Sequence, residues 1–455
     1  MISGRYALYL IFVILSAIIY LYKFGIGRYS VLILAIFWQG MFQTITGPFY
    51  NGYKILTVAY VIFLFSPRIF SFKRGHDKLV NFAFFSFSLV YWFSYLFFSR
   101  GGLGTMLSQY LYKLAIPVLL FHGLRDIEYD VEKRNLLASM LFFAVIVQVY
   151  LSLIKILIYG FYYEAIVGSI ASWGGGPAVV FPLISIFFFW ATKNGEFKLR
   201  DWLFVASFFI ISVASAKRSP VILFPVFIGL LILSKRKIKL NLGNLLLGVV
   251  LSSFLFYFGV RINRTLNPDN QVWGRFDPGF VVDYVIYYNF GTTDRGAIFG
   301  DYYESEGRGG SLVMLFRPKA IGLTNTTEIL IGKGYDISNL RSTKWGEWGM
   351  EHEGLVGAVI QILYQLGYLG MALMFMFCVE IIMAVRDKRI RNVILLFYLW
   401  DFLLYGNLVF FDRATAFLMV FTIHYLNSIY VPQQSYQPNL SWVGGSEQMG
   451  RIVTE

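Results

Sequence analysis

The sequence predicts an all-α polytopic membrane protein with twelve or thirteen transmembrane helices and one large loop domain on the outer, periplasmic or extracellular, face. Three observations predict it. Hydrophobic residues make up 57% of the 455 and charged residues 14%, whereas a soluble domain carries about 25% charge and under half apolar residues. The apolar residues come in blocks of spanning length, and a bilayer core needs roughly 20 in succession. Basic clusters recur in alternate short connections, as the positive-inside rule requires.

Spans are expected near Tyr6–Tyr22, Tyr29–Thr46, Ile55–Ile69, Leu79–Phe98, Thr105–His122 and Asn135–Tyr159. Others follow near Ala178–Thr192, Trp202–Ser215, Pro220–Ser234, Leu242–Gly259, Tyr368–Val385, Val393–Val409 and Ala414–Tyr430. The first apolar block lacks a small-residue cleavage site and runs directly into more spans, so it is read as a span and not as a signal peptide. The single cysteine, Cys378, falls inside a span, which excludes intrachain disulfides and cysteine metal sites.

Five connections are basic. They hold Arg68, Lys73, Arg74 and Lys78, then Arg125, Lys133 and Arg134, then Lys193, Lys198 and Arg200. The last two hold Lys235, Arg236, Lys237 and Lys239, and Arg386, Lys388, Arg389 and Arg391. All five fall on one side of the alternating spans and are expected in the cytoplasm. The formal net charge of +13 is therefore read as topology and not as a nucleic-acid interface.

The stretch Arg261–Glu353 then lies outside. Its ten Lys/Arg and twelve Asp/Glu leave it nearly neutral. Structureless loops rarely exceed about 12–15 residues. Trp273, Phe276, Tyr284, Tyr287, Tyr288, Tyr302, Tyr303 and Phe316 also make it too aromatic for disorder. The expected organisation is an N-terminal bundle over 1–260, an outer cap over 261–353, C-terminal spans over 354–430 and a polar cytoplasmic tail over 431–455.

Titratable chemistry is sparse except in "WGEWGMEHEG", Trp345–Gly354. His352 is the one histidine expected outside, and it stands between Glu351 and Glu353 ahead of the apolar stretch Leu355–Leu366. Carboxylates at a helix N-terminus are favoured by the helix dipole, so this cluster reads as a charged cap. It reads equally as a general base, an imidazole whose protonated form a neighbouring carboxylate stabilises. A second feature is "SAKRSP", Ser215–Pro220, a tight turn expected at the outer surface, where Lys217 and Arg218 run against the charge rule. They can snorkel to lipid head groups, or clamp a lipid-linked phosphate where lipid meets water.

Arg261, Arg264, Arg308 and Arg413 are further outer arginines suited to such a clamp, with Arg413 also a natural partner of Asp412. "SWGGGPAVVFP" opens a span at the same face with three glycines before a proline, a loop able to bare backbone amides to an anion. No nucleotide-type Gly-Lys-Ser/Thr loop, HExxH, CxxC, GxSxG or EF-hand spacing occurs, so no metal or cofactor is expected.

Together these motifs resemble the O-antigen polymerase and O-antigen ligase superfamily, bacterial polytopic glycosyltransferases of the GT-C type. An arginine at an outer inter-span turn appears as "SAKRSPVILFP". A loop arginine ahead of a Gly-x-Gly appears as "GRGGSLVMLFRPKAIG" leading to "LIGKGYD", with Gly332 and Gly334. A loop histidine, a helix and a Gly-x-x-Gly appear as "EHEGLVGAVIQILYQLGYLG", His352–Gly370. The likeness in architecture covers the whole chain, and the motifs run from about Ser215 to Gly370. Where that family often has Asn after the histidine, this chain has Glu353.

The resemblance implies a polymerase of lipid-linked oligosaccharide repeat units in the bacterial inner membrane, with its active site facing the periplasm. Such units build O-antigen, capsule or exopolysaccharide. Its substrate would be an undecaprenyl-pyrophosphate-linked oligosaccharide, and a chain-length regulator protein would be a natural partner. His352, Glu353 and Arg218 would be catalytic. Lys217, Arg261, Arg264, Arg308 and Arg413 would hold the pyrophosphate, with no metal. A ligase passing polysaccharide to a lipid or protein acceptor is the alternative, and a polysaccharide flippase a further one. A flippase is expected to line a central cavity with charge, whereas Lys113, Lys155, Glu380 and Asp401 are the few charges in or at the ends of spans.

Overall fold

The computed structural model describes residues 4–46, 50–69, 75–98, 102–160, 166–170, 176–195, 197–215, 217–234, 242–290, 314–334, 358–405 and 408–430. Every regular element among these described residues is helical. Four helices are long and apolar enough to cross a membrane by themselves: Arg5–Phe24, Asp77–Phe98, Val131–Tyr159 and Val359–Met383. In chain order the helices are α1 Gly4–Phe24, α2 Arg28–Phe37, α3 Gln39–Thr46, α4 Tyr50–Ile69, α5 Gly75–Phe98 and α6 Leu103–Gln109. They continue with α7 Ile116–Gly123, α8 Val131–Tyr159, α9 Pro177–Thr192, α10 Leu199–Ala214, α11 Ser219–Ser234 and α12 Leu242–Ile262. The last six are α13 Pro278–Phe290, α14 Thr326–Ile331, α15 Ala358–Met383, α16 Lys388–Tyr405, α17 Leu408–Phe411 and α18 Arg413–Ser428.

Local chemistry explains where several begin. Asp130 caps α8 by accepting from the Lys133 amide at 2.9 Å, and Gly160, at φ 82°, closes it. Pro177 opens α9, where its missing N–H costs nothing. Asp412 caps α18 through its Oδ1, which accepts from the Ala414 and Thr415 amides, both at 3.1 Å.

The centre is α9 against α18. Every residue from Ala178 to Ala191 and from Ala414 to His424 is buried, and the Phe188 and Phe421 rings meet at 5.8 Å. Helices hydrophobic all round belong at a core or in a membrane. The outer helices turn apolar side chains away from the protein, Ile18 56%, Phe85 63% and Val250 64% exposed. A soluble monomer seldom bares such a surface, whereas lipid tails cover it without cost.

Two expected spans are interrupted. Tyr29–Thr46 is two helices, because the segment around Ser169 reaches into it. The Gly40 amide donates to Ser169 O at 2.7 Å instead of to its own helix, and Gln39 donates to Ile170 O. A β-carbon on Gly40 would stand 2.6 Å from that same carbonyl, so the approach depends on glycine. Thr105–His122 contains a π-helical stretch, Tyr110–Ala115, between α6 and α7. The described part of the Leu355–Leu366 stretch, from Ala358, and the start of the Tyr368 span are the two halves of α15, which is kinked at Gly367 (φ 65°, ψ −177°).

Candidate functional site

Four of the basic residues singled out in the sequence come together on one loop system. The turn between α10 and α11 carries Lys217 and Arg218, both half-buried. Arg218 donates through Nε to Thr265 Oγ1 at 2.8 Å, and its guanidinium lies 4.4 Å from the Tyr284 ring centroid on α13. Thr265 in turn donates to Asn263 Oδ1 at 2.7 Å, and Asn263 Nδ2 reaches the Lys217 carbonyl at 3.0 Å. A hydroxyl and an aromatic face thus fix the plane of Arg218. A fixed guanidinium plane is what a two-point grip on phosphate oxygens requires.

The segment following α12 is folded around Asn267, whose Nδ2 donates to Asn263 O at 3.0 Å and Gln271 O at 2.9 Å. Gly274 must be glycine, because a β-carbon there would sit 2.0 Å from Asn267 Oδ1. Two residues of this loop adopt positive φ, Asn270 at 50° and Trp273 at 64°. Both point their carbonyls at arginines. Asn270 O accepts from Arg264 Nε at 3.0 Å, and Trp273 O accepts from Arg261 Nη2 at 3.2 Å. Non-glycine residues in that region are uncommon, and such strain concentrates at functional sites. Arg261 also donates to Gly274 O at 3.0 Å and Tyr257 Oη at 3.1 Å, so it braces the loop, whereas Arg264 remains exposed.

Arg413 belongs to a second group. Asp412, its expected partner, directs Oδ1 to the start of α18, and Arg413 hydrogen-bonds Gln39 Oε1 through Nη2. Lys54 lies within electrostatic reach of it. Nearby, Lys155 is buried with its ammonium 4.9 Å from the Tyr9 ring centroid, and the Tyr9 hydroxyl donates to Gly168 O at 2.6 Å. Sequence reading missed Gln39 and Thr265 and named Tyr284 only among the loop aromatics, because the partner of Thr265 lies 47 residues away and that of Gln39 lies 374 away.

The glycine motifs meet. Gly332 (φ 74°) and Gly367 (φ 65°) bring two backbones into direct contact. A β-carbon on Gly332 would lie 2.3 Å from the Gln365 carbonyl, and one on Gly367 would lie 2.3 Å from that of Leu330. Hydrogen bonds seal the crossing, Lys333 N to Tyr364 O at 2.9 Å and Gly334 N to Gln365 O at 3.1 Å. The same Gln365 carbonyl accepts from Ser94 Oγ at 3.2 Å, which ties the crossing to α5. The Glu328 carboxyl faces burial, which raises its pKa. The Thr324 amide and hydroxyl, donating at 2.8 and 3.0 Å, and Lys333 at 3.8 Å outweigh that and hold it below its ordinary value.

His352, Glu353 and Arg308 lie outside the described residues. Among the described residues no cluster of three or more His, Cys, Asp or Glu is arranged for a metal. Comparison with protein-family models, with curated proteins and with solved structures yields no match to this chain.

Proposed function

We propose that this chain is a polymerase of lipid-linked oligosaccharide repeat units, working at the outer face of a bacterial inner membrane. One observation carries the reading: the Gly-x-Gly at Gly332–Gly334 and the kink at Gly367 interlock through their backbones. Two motifs that resemble the polymerase and ligase superfamily thus form one structural unit. The arginine turn adds support, since Arg218 is oriented by Thr265 and Tyr284 at the head of the proposed cap.

In this reading the chain spans the membrane twelve or thirteen times, and residues 261–353 form the cap. Arg218, Lys217 and Arg264 grip the donor's pyrophosphate, and Arg261 shapes the loop that presents Arg264. Arg308 and Arg413 complete the positive field. An acceptor sugar hydroxyl attacks the anomeric carbon of the donor. The new glycosidic bond forms as the carbon–oxygen bond to pyrophosphate breaks, and undecaprenyl pyrophosphate departs. His352 or Glu353 takes the hydroxyl proton. Fixed cations suit this chemistry because charge develops on the leaving oxygen, and one preorganised donor is worth about 3 kcal/mol.

The test is reconstitution of the purified protein with an undecaprenyl-pyrophosphate-linked oligosaccharide, read on a gel. A ladder of regularly spaced products supports the polymerase. Single transfer to a lipid or protein acceptor points instead to the ligase reading, and neither product removes both.

A further inference from the structure

A cavity of about 380 Å³ opens at the end of the bundle that carries the basic connections Arg125–Arg134 and Arg386–Arg391. Its charged lining is Asp77, Arg125, Glu128, Arg386, Arg391 and His424. Both carboxylates are already engaged. Asp77 pairs with Arg125. Glu128 meets His424 Nδ1 at 2.7 Å, while His424 Nε2 contacts Phe121 O at 2.7 Å.

The two remaining arginines are different. Arg386 donates through Nη1 to Tyr430 O at 3.2 Å, a carbonyl and not a carboxylate. Arg391 has its Nε buried with no hydrogen-bond partner. Asp387, at the head of α16, directs its hydrogen bonds elsewhere: Oδ1 accepts from the Arg389 and Ile390 amides at 2.9 and 3.4 Å, and Oδ2 takes the Tyr430 hydroxyl at 2.9 Å. A guanidinium at a cavity wall with no carboxylate bonded to it suits an anion, which its charge and planar fork can hold. Leaving His424 aside, the lining sets three arginines against two carboxylates.

We propose that this cavity is a binding site for a phosphate group, held between Arg386 and Arg391. Basic pockets between helices at a membrane's cytoplasmic side suit lipid phosphates, and a soluble phosphate compound offers the same oxygens. The site is independent of the sugar-transfer reading, since it draws on none of the residues assigned to that chemistry.

The test uses the full chain in dodecyl maltoside micelles, which carry no phosphate, with pyrophosphate added to one set and phosphatidylglycerol to another. Thermal unfolding is followed by exposure of the buried Cys378 thiol. Either probe should raise the wild-type midpoint, pyrophosphate alone marking a soluble ligand and phosphatidylglycerol alone a head group. Arg391→Gln should weaken pyrophosphate binding or the lipid response about tenfold or more, as loss of a charge-assisted contact does. In dodecyl maltoside alone the same variant should unfold no earlier than wild type, because it removes a donor that has no partner. Failure of both probes to shift the wild type overturns the proposal. So does an undiminished shift in the Arg386→Gln, Arg391→Gln double variant.

Discussion

Replacing Gly367 with alanine tests the crossing on which the functional reading leans. The new β-carbon would meet Leu330 C and O at 2.3 Å and Ile331 N at 2.5 Å. All three are backbone atoms, so no side chain can swing aside. Gly367 also sits at φ 65°, ψ −177°, a region essentially confined to glycine, where another residue costs about 1–3 kcal/mol. Separating the two segments to relieve the clash breaks Lys333 N–Tyr364 O and Gly334 N–Gln365 O, each worth about 1 kcal/mol net. The sum is about 3–5 kcal/mol.

The sole cysteine, Cys378, is buried on the same helix, so the rate of maleimide labelling on heating reports when α15 comes away. Gly367→Ala should lower the labelling midpoint by about 3–5 °C for a chain of 455 residues. Leu369→Ala, two residues on and 43% exposed, should cost about 0.5 kcal/mol. Gly332→Ala should match Gly367→Ala, and the double variant should add little, because both break one contact. If Gly367→Ala labels no earlier than Leu369→Ala, the interlock does not hold these segments together and the argument fails.

Four further outcomes are expected. Arg218→Ala should abolish polymer and also cost about 2 kcal/mol of stability, from the Thr265 hydrogen bond and the Tyr284 face, while Thr265→Val should cost about 1 kcal/mol with donor binding retained; wild-type laddering by Arg218→Ala would refute the clamp. His352→Ala should reduce turnover on the order of 10²–10⁴-fold with donor binding intact, unless Glu353→Gln is the severe change, which would make the carboxylate the base; near-normal polymer from both would reduce the cluster to a helix cap. In a variant lacking Cys378, a thiol placed at Asn325 should react with an impermeant reagent from outside and one at Lys237 should not, and the reverse pattern would invert the topology. Burial raises the Asp412 carboxyl to about 6, against the Thr415 and Ala414 amides that favour its ionised form. The folded state then holds a proton the unfolded state has lost, so the stability it contributes is fully present below about 4 and disappears as pH rises through about 6; Asp412→Asn keeps the cap acceptor and should flatten that part of the stability profile, and an unchanged slope would count against the buried carboxyl.

The class of protein is written in the sequence because hydropathy is additive along the chain. Each block of apolar residues announces a helix whatever its neighbours do, since a backbone in lipid must satisfy its own hydrogen bonds. Alternating basic loops likewise need no knowledge of packing. The helix breaks were not legible in this way. Gly40 lies in a stretch read as one span, between Gln39 and Gln43, and the arrival of Ser169, 129 residues later, takes its amide and splits the helix. Gly332 and Gly367 were visible as motifs, but their mutual contact requires two chain segments to approach within the space of a missing β-carbon.

The arginines divide along the same line. Their presence between apolar segments is a matter of order and charge, which the sequence states outright. Their roles are set by partners distant in the chain: Thr265 orients Arg218, two left-handed residues turn their carbonyls toward Arg261 and Arg264, and Gln39 receives Arg413. Transfer of a side chain from water to lipid depends on that side chain alone, so the sequence determined which segments are apolar and which loops are charged. Hydrogen-bond direction and close backbone approach depend on two groups at once, and only the tertiary structure decided those.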